Sequence, residues 1–261
     1  MATVLRPLLD DLRAEQADLL RVVQDADLDL PTPAAGWSVR DAVAHLMGTD
    51  VEAARAAGDP QGFVNGLGRI GLDVEGFLTG QLVERRSLST EQLLADWQSG
   101  LEQLLLEVAA VPAGTKIPWY GPPMSPASFV TARLMEYWAH GQDVADAVGV
   151  RRAPTDRLRH IAHLGVRTRG FTYVNRGLEP SPEPVEIVLT APGGGVWTLG
   201  DSGAADRVEG SAEDFCLLVT QRRHRRDVDL VATGPVADAW LDVAQCFAGP
   251  PGPGRPPLED A

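Results

Sequence analysis

The chain has 261 residues, 44% of them hydrophobic, which is enough for a sizeable core in one or two domains. Its formal net charge of −13 makes nucleic acid and anionic lipid surfaces poor partners, since an acidic surface repels both. No apolar run is long enough to span a bilayer, and the opening MATVLRPLLDDLRAE puts acidic residues where a secretory signal needs an apolar stretch, so a cytoplasmic location is expected.

Leu5, Leu8, Leu9, Leu12, Leu19, Leu20 and Val23 recur at helical spacing and predict a first helix. Residues 31–37, PTPAAGW, read as a loop. Ser38 followed by Asp41 has the form of a capping box and starts a second helix, through His45 to about Ala57. A looser helical stretch interrupted by glycines covers 63–86. Ser89 with Gln92 predicts another capping box and a helix to about Ala110. The Pro- and Gly-rich segment 111–124 reads as a long loop. Ser125-Pro126 then combines an N-cap with proline at the first helical position and opens a long helix ending near Gly149. A further helix runs from after Thr155 to about Arg176.

Beyond Pro180 the helical period gives way to alternation. Val185, Ile187 and Leu189, a Pro-Gly-Gly-Gly turn at 192–195, and Val196 to Leu199 predict a hairpin. A short strand near Val208 leads to Ser211, an N-cap with Asp214 three residues on, and a helix over 215–221. A strand over 229–233 and a final amphipathic helix over 235–247 complete the pattern. The glycines at 193–195 lack the strand–loop–helix context and the lysine of a phosphate loop, and there is no G-x-S-x-G elbow. The reading is α+β: a helical bundle over 1–152, a bridging helix and linker over 153–180, a small α+β domain over 181–249 and a disordered tail over 250–261.

Cys216 and Cys246 sit in apolar runs without CxxC spacing, so buried thiols in a reducing compartment are expected rather than a zinc knuckle or redox pair. Glu136 and His140 are four residues apart, on one face of a predicted helix, within a stripe that is apolar at both ends. Such a pair is either a weak polar contact on a helix surface or two ligands converging on a divalent cation. His45, beside the Val39, Val43 and Leu46 face of its own helix, is either a satisfied core histidine or a third ligand. Asp50 and Asp143 are candidate bases. His160 and His163 lie among arginines on a cationic helix surface or near an anionic ligand. The basic run 222–226 follows a predicted helix end, where arginine is favoured electrostatically, and could equally bind a carboxylate or phosphate. Trp37 and Trp138 read as core aromatics, whereas Trp119 and Tyr120 could line a pocket mouth.

The segments GWSVRDAVAHLMGTD (36–50) and SFVTARLMEYWAHGQDVADAVG (128–149) resemble the mycothiol-dependent maleylpyruvate isomerase-like group of the DinB superfamily. The nearest resemblance is to its actinobacterial subgroup of metal-binding or "wyosine base formation" proteins, and DFCLLVTQRRH (214–224) and WLDVAQCFAGPPGPGR (240–255) are similar to it too. The resemblance implies a DinB-like four-helix bundle followed by a small SCP2-like α+β domain. It implies a metal triad matching His45, Glu136 and His140, and an active-site arginine matching Arg222 or, second, Arg223. The expected ion is zinc, with nickel, iron or manganese also compatible with the donor set. The expected activity is a mycothiol-dependent isomerase or S-transferase acting on a small electrophilic, anionic substrate. The competing readings are a thiol-independent metal-dependent hydrolase, cyclase or isomerase of natural-product metabolism, and a non-enzymatic carrier of a small molecule or lipid with a structural metal. Oligomeric state is not legible.

Overall fold

The apolar periods of the first half fold into helices α1 (Ala2–Val23), α2 (Val39–Gly58), α3 (Pro60–Ile70), α4 (Val74–Arg86), α5 (Thr90–Ala110) and α6 (Pro126–Val148) in a computed structural model that describes residues 2–70, 74–252 and 254–260. Two compact units result, Met1–Arg151 and Arg152–Ala261. In the first, α1, α2, α5 and α6 pack against one another as a four-helix bundle. Leu12 and Leu19 of α1, Val43 and Leu46 of α2, Trp97 and Leu101 of α5, and Phe129 and Leu134 of α6 are buried in its core. Burying each such side chain contributes about 1.5–3 kcal/mol, so the bundle is held mainly by this apolar seam.

The helix starts are fixed by their caps. Ser38 Oγ accepts from the Asp41 amide while the Asp41 carboxylate accepts from the Ser38 amide at 2.9 Å, a complete capping box. Burial pushes the Asp41 carboxyl up, but Arg86 and Ser38 outweigh it and hold it below its usual value. The box expected at Ser89 is only half formed. Ser89 accepts from the Gln92 amide at 3.2 Å, but the Gln92 side chain donates to Asp96 at 2.6 Å instead of turning back. Ser125 caps α6 with Pro126 at its first turn, and Gly149 ends it at φ 70°, a left-handed conformation that a side chain would strain.

A buried polar network ties the bundle together. Asp50 of α2 pairs with Arg133 of α6 at 3.0 Å and accepts from the Tyr137 hydroxyl. Trp97 Nε1 of α5 donates to the Tyr137 oxygen at 2.8 Å, and Gln16 Nε2 of α1 donates to it at 3.3 Å. All four bundle helices meet in this cluster. Burial pushes the Asp50 carboxyl up to about 6, against the pull of Arg133 and Tyr137.

The second unit begins with α7 (Leu158–Arg167) and α8 (Arg169–Asn175) rather than the single helix expected to Arg176. The break is at Thr168, whose hydroxyl donates to the carbonyls of Leu164 and Gly165 at 2.9 and 3.1 Å and bends the chain there. A four-stranded sheet follows, in the order β2-β1-β3-β4, from β1 (Val185–Thr190), β2 (Val196–Gly200), β3 (Asp206–Ser211) and β4 (Leu230–Thr233). β1 and β2 form the expected antiparallel hairpin, β1 and β3 run parallel, and β3 and β4 are antiparallel. The fold is α+β.

Val185, Ile187 and Leu189 point to the buried face of the sheet, and α9 (Ala212–Val219) and α10 (Pro235–Leu241) bury Phe215 and Trp240, whose rings meet edge to face at 5.8 Å. α9 starts as expected, with Ser211 Oγ accepting from the Asp214 amide at 2.9 Å. The final helix was expected to reach Phe247 and stops at Leu241. Beyond it the backbone is taken by tertiary partners: the Cys246 amide donates to the Val219 carbonyl at 2.8 Å, and the Thr172 hydroxyl donates to the Gln245 carbonyl at 2.9 Å.

Candidate metal centre

Two helices bring the three candidate ligands together. His45 lies in the second turn of α2, behind the Ser38 cap, and Glu136 and His140 are one turn apart on α6. His45 Nε2 is 3.7 Å from Glu136 Oε2, and His140 Nε2 is 3.4 Å from the same oxygen. The two imidazole centroids are 4.8 Å apart. One ligand atom from each residue lies within 4.8 Å of the others, and among the described residues this is the one such group of three His, Cys, Asp or Glu side chains. The side chains are 23%, 27% and 11% exposed for His45, Glu136 and His140, so the cluster is neither sealed nor spread over the surface.

These separations discriminate between the two readings of the pair. Charge-assisted N–H···O bonds are about 2.7–2.9 Å long, and both distances exceed that. Ligand atoms about 2.0–2.1 Å from a tetrahedral ion stand roughly 3.3–3.4 Å apart along each edge. The observed 3.4 and 3.7 Å are close to such edges. The donor set of two imidazoles and one carboxylate fits zinc-type coordination and leaves a position for an exogenous ligand.

The electrostatics agree. Burial pushes the His45 imidazole down to about 4, against the opposing pull of Glu136. Burial also pushes the Glu136 carboxyl up, but hydrogen bonding and charge from His140 and His45 outweigh it and hold it well below the usual carboxylate range. Near neutral pH the site therefore offers an unprotonated carboxylate and a neutral His45 ring, the states that ligate metals.

Two further residues shape the site. Asp143, buried at 1% exposure one turn beyond His140, has its carboxylate 3.5 Å from His140 Nδ1. A carboxylate beside the far nitrogen favours the tautomer that leaves Nε2 facing Glu136. Buried against His140, Asp143 is not the exposed base that its sequence position allowed. Asp50, the other candidate base, is fully committed to Arg133 and Tyr137. Trp37, expected in the core, instead stacks on the His140 ring at 5.4 Å and 7°, and meets His45 edge-on at 5.2 Å. Its loop is held by the Thr32 amide donating to the Trp37 carbonyl at 2.8 Å, with Gly36 at φ 78° making the turn. Only the W-S step immediately before the helix cap hinted at this role.

Trp119 and Tyr120 pack with Phe63, and Trp119 also meets Phe129. The Tyr120 hydroxyl reaches Glu52 at 3.5 Å. Their ring partners thus belong to the bundle core and not to the triad. In the second unit, Arg222 Nη1 donates to the Thr220 carbonyl at 2.6 Å and Arg223 Nη1 to the Arg222 carbonyl at 2.8 Å, both half-buried just past α9. His163 lies on the outer side of α7, where partial desolvation, and after it the charge of Arg167, pushes its imidazole down. Cys216 and Cys246 are buried and unbonded to each other, and burial raises the Cys216 thiol well above its usual value, so it makes no nucleophile.

Residues 9–145 match the family model described as the mycothiol maleylpyruvate isomerase N-terminal domain. Uncharacterized proteins from two strains of Mycobacterium tuberculosis are each 48% identical over 252 residues, covering 95% of this chain and 98% of theirs. Crystal structures of the mycothiol-dependent maleylpyruvate isomerase and of an alanine variant of it superpose with TM-scores of 0.59 and 0.60 at 13% identity, covering 87% of this chain and 92% of theirs. At that identity the likeness speaks for the fold.

Proposed function

Because this chain belongs to the mycothiol maleylpyruvate isomerase family, we propose that it is a metal-dependent isomerase or S-transferase using a low-molecular-weight thiol of the mycothiol type. The observation that carries this reading is the spacing of His45, Glu136 and His140: longer than charge-assisted hydrogen bonds, compatible with ligands around one ion, and three in number. A zinc-type ion held there would lower the pKa of a coordinated thiol, so that the nucleophilic thiolate exists at neutral pH.

The chain's own residues do the rest. His45 presents a neutral ring nitrogen beside that of His140, and Glu136 supplies the negative charge, so that a divalent ion held there would leave the triad net positive and receptive to an anionic ligand. Asp143, 3.5 Å from His140 Nδ1, would favour its Nδ1–H tautomer, and the Trp37 ring stacked on His140 would hold its plane and exclude water from that side. We assign Arg222, with Arg223 as the alternative, to holding the carboxylate of a small electrophilic substrate through the bidentate fork of the guanidinium. The buried cysteines leave the nucleophile to an external thiol. Such a reaction belongs in the reducing cytoplasm, where a small thiol stays reduced.

The test has two stages. Elemental analysis of the purified protein beside its His140→Ala variant is expected to give near-stoichiometric zinc, or nickel, iron or manganese, that the variant lacks. Incubation of the loaded protein with mycothiol and maleylpyruvate is then expected to give isomerised product, or an S-conjugate with a related electrophile. Activity that persists without any thiol would replace this reading with a metal-dependent hydrolase or cyclase. Metal without any turnover would replace it with a binding protein.

A further inference from the structure

We infer that Trp37 governs how the metal site fills and empties: it keeps the two imidazoles converged and walls off one side of the place an ion would take, so that metal and exogenous ligands exchange from the other side only. The inference rests on the metal-dependent reading of the triad and extends it from what the site holds to how the site exchanges it. The observation is a closed triangle of three rings. The Trp37 indole lies nearly parallel to the His140 ring, at 5.4 Å and 7°, and meets His45 edge-on at 5.2 Å, while the two imidazoles stand 4.8 Å apart. Offset-parallel and edge-on contacts at these separations are the arrangements that aromatic rings prefer.

The indole stands on a fixed root. The Trp37 amide donates to the Ala34 carbonyl at 3.0 Å, and its carbonyl accepts from the Thr32 amide at 2.8 Å and the Thr32 hydroxyl at 2.9 Å. Pro31 and Ser38 bridge as antiparallel partners, and the Val39 amide donates to the Leu30 carbonyl at 3.0 Å. Both main-chain polar groups of Trp37 are thus committed, and the ring cannot swing away without breaking those bonds. A large apolar residue just before an N-cap ordinarily staples itself to the first turns of its own helix. That habit accounts for an aromatic at position 37. It does not account for an indole laid flat on a histidine of α6 while its other contact is a histidine of α2.

Two consequences follow for an ion. His45 and His140 come from different helices, and each side chain has several staggered rotamers open to it. One indole against both rings removes the rotamers that carry them apart, so little freedom is left to lose when metal binds. Access is the second consequence. His140, beneath the indole, is the least exposed of the three proposed ligands, and Glu136 is the most exposed. Approach is therefore closed over His140 and open past Glu136, which is the side by which a small thiol would enter. Zinc-type ions can expand from four to five ligands. An incoming donor that must come from one side has fewer ways to enter, so release of the ion is slowed together with its loading.

Metal exchange of the full chain tests it. Zinc-loaded wild type, Trp37→Ala and Trp37→Phe are mixed with excess chromophoric chelator, and the release of zinc is followed in time. Trp37→Ala is expected to release zinc at least about tenfold faster and to bind it about three- to tenfold more weakly, with unchanged circular dichroism. Trp37→Phe, which keeps a stacked ring, is expected to stay within about threefold of wild type in both. Reconstitution with cobalt gives a second readout: the visible bands of a four-coordinate ion are expected in the wild type and in Trp37→Phe, and to weaken in Trp37→Ala as solvent enters. Should Trp37→Ala fail to fold, Trp37→Leu, which keeps apolar bulk without a stacked plane, carries the test. Wild type that takes up neither zinc nor cobalt ends the functional reading and this inference with it. Normal uptake, with release and cobalt spectrum unchanged in Trp37→Ala or Trp37→Leu, overturns this inference alone. So does a loss that Trp37→Phe shares in full, which would mark Trp37 as mere packing.

Discussion

α2 and α6 share two polar clusters of opposite character. Around Asp50, Arg133 and Tyr137 the groups have closed on one another: the Arg133–Asp50 pair is 3.0 Å, both side chains are at most 5% exposed, and Trp97 and Gln16 serve the Tyr137 oxygen. Around His45, Glu136 and His140 the separations are 3.4 and 3.7 Å and the side chains are 11–27% exposed. Arg133 stands one turn before Glu136 on the same helix, and Asp50 little more than a turn after His45. Packing that can draw an Arg–Asp pair to 3.0 Å could have drawn a Glu–His pair as close. The first cluster is satisfied by its own members and fixes the helices. The second keeps the wider spacing on which the proposed metal site rests, and the first holds the helices that carry it.

The sharpest test of this contrast removes one member from each. His140→Ala takes away one of three proposed ligands, and the apparent zinc affinity is expected to fall at least about ten-thousandfold, above 5 kcal/mol. The metal-free stability should change far less. Arg133→Met does the reverse. It leaves the Asp50 carboxyl buried without its charge partner, and urea unfolding of the metal-free chain is expected to show a loss of about 3–5 kcal/mol. If Arg133→Met unfolded no more readily than wild type, the first cluster would not be what holds the helices.

How much of this was legible beforehand follows from the range of each interaction. Caps are local, so Ser38 with Asp41 and Ser125 with Pro126 announced where α2 and α6 begin, and therefore which faces His45, Glu136 and His140 share. Spacing alone left the Glu136–His140 pair open between a surface contact and a ligand pair, and resemblance to a family tipped it. The Asp50–Arg133 bond spans 83 residues, and nothing in the local sequence marks either as the other's partner. Asp50 consequently read as an available base. Trp37 was misplaced for the same reason: its stacking partner is His140, on another element far along the chain. The single helix expected over 155–176 and the overlong final helix failed where Thr168 bonds back into its own helix and where Thr172 and Val219 claim the backbone of 245–246.

A finer cut falls within the open cluster. Asp143→Asn keeps the shape but loses the negative charge beside His140 Nδ1, and an amide can present either an acceptor or a donor to that nitrogen. Zinc affinity is expected to drop about 10–100-fold, the usual cost of an outer carboxylate, while urea stability of the metal-free chain moves by less than about 1 kcal/mol. A loss as large as that of His140→Ala would make Asp143 a ligand rather than an orienting group. No loss at all would leave the buried carboxylate without a role in the site.

The smallest expected effect is a near absence of one. Metal competes with protons for its ligands, so two ordinary imidazoles, titrating near 6.5, would give log affinity a slope approaching two per pH unit below that value. In this site burial pushes His45 down to about 4, and His140 and His45 hold the Glu136 carboxyl well below its usual range. The sign follows directly: a depressed histidine stays neutral until the pH falls to its new value, so His45 releases no proton on binding metal above about pH 5. Competition titration with a chromophoric chelator between about pH 7.5 and 5.5 should therefore give a slope below one. A slope near two would mean that both rings titrate as solvent-exposed histidines, that the cluster opens in solution, and that the contrast with Asp50 and Arg133 holds only in the static structure.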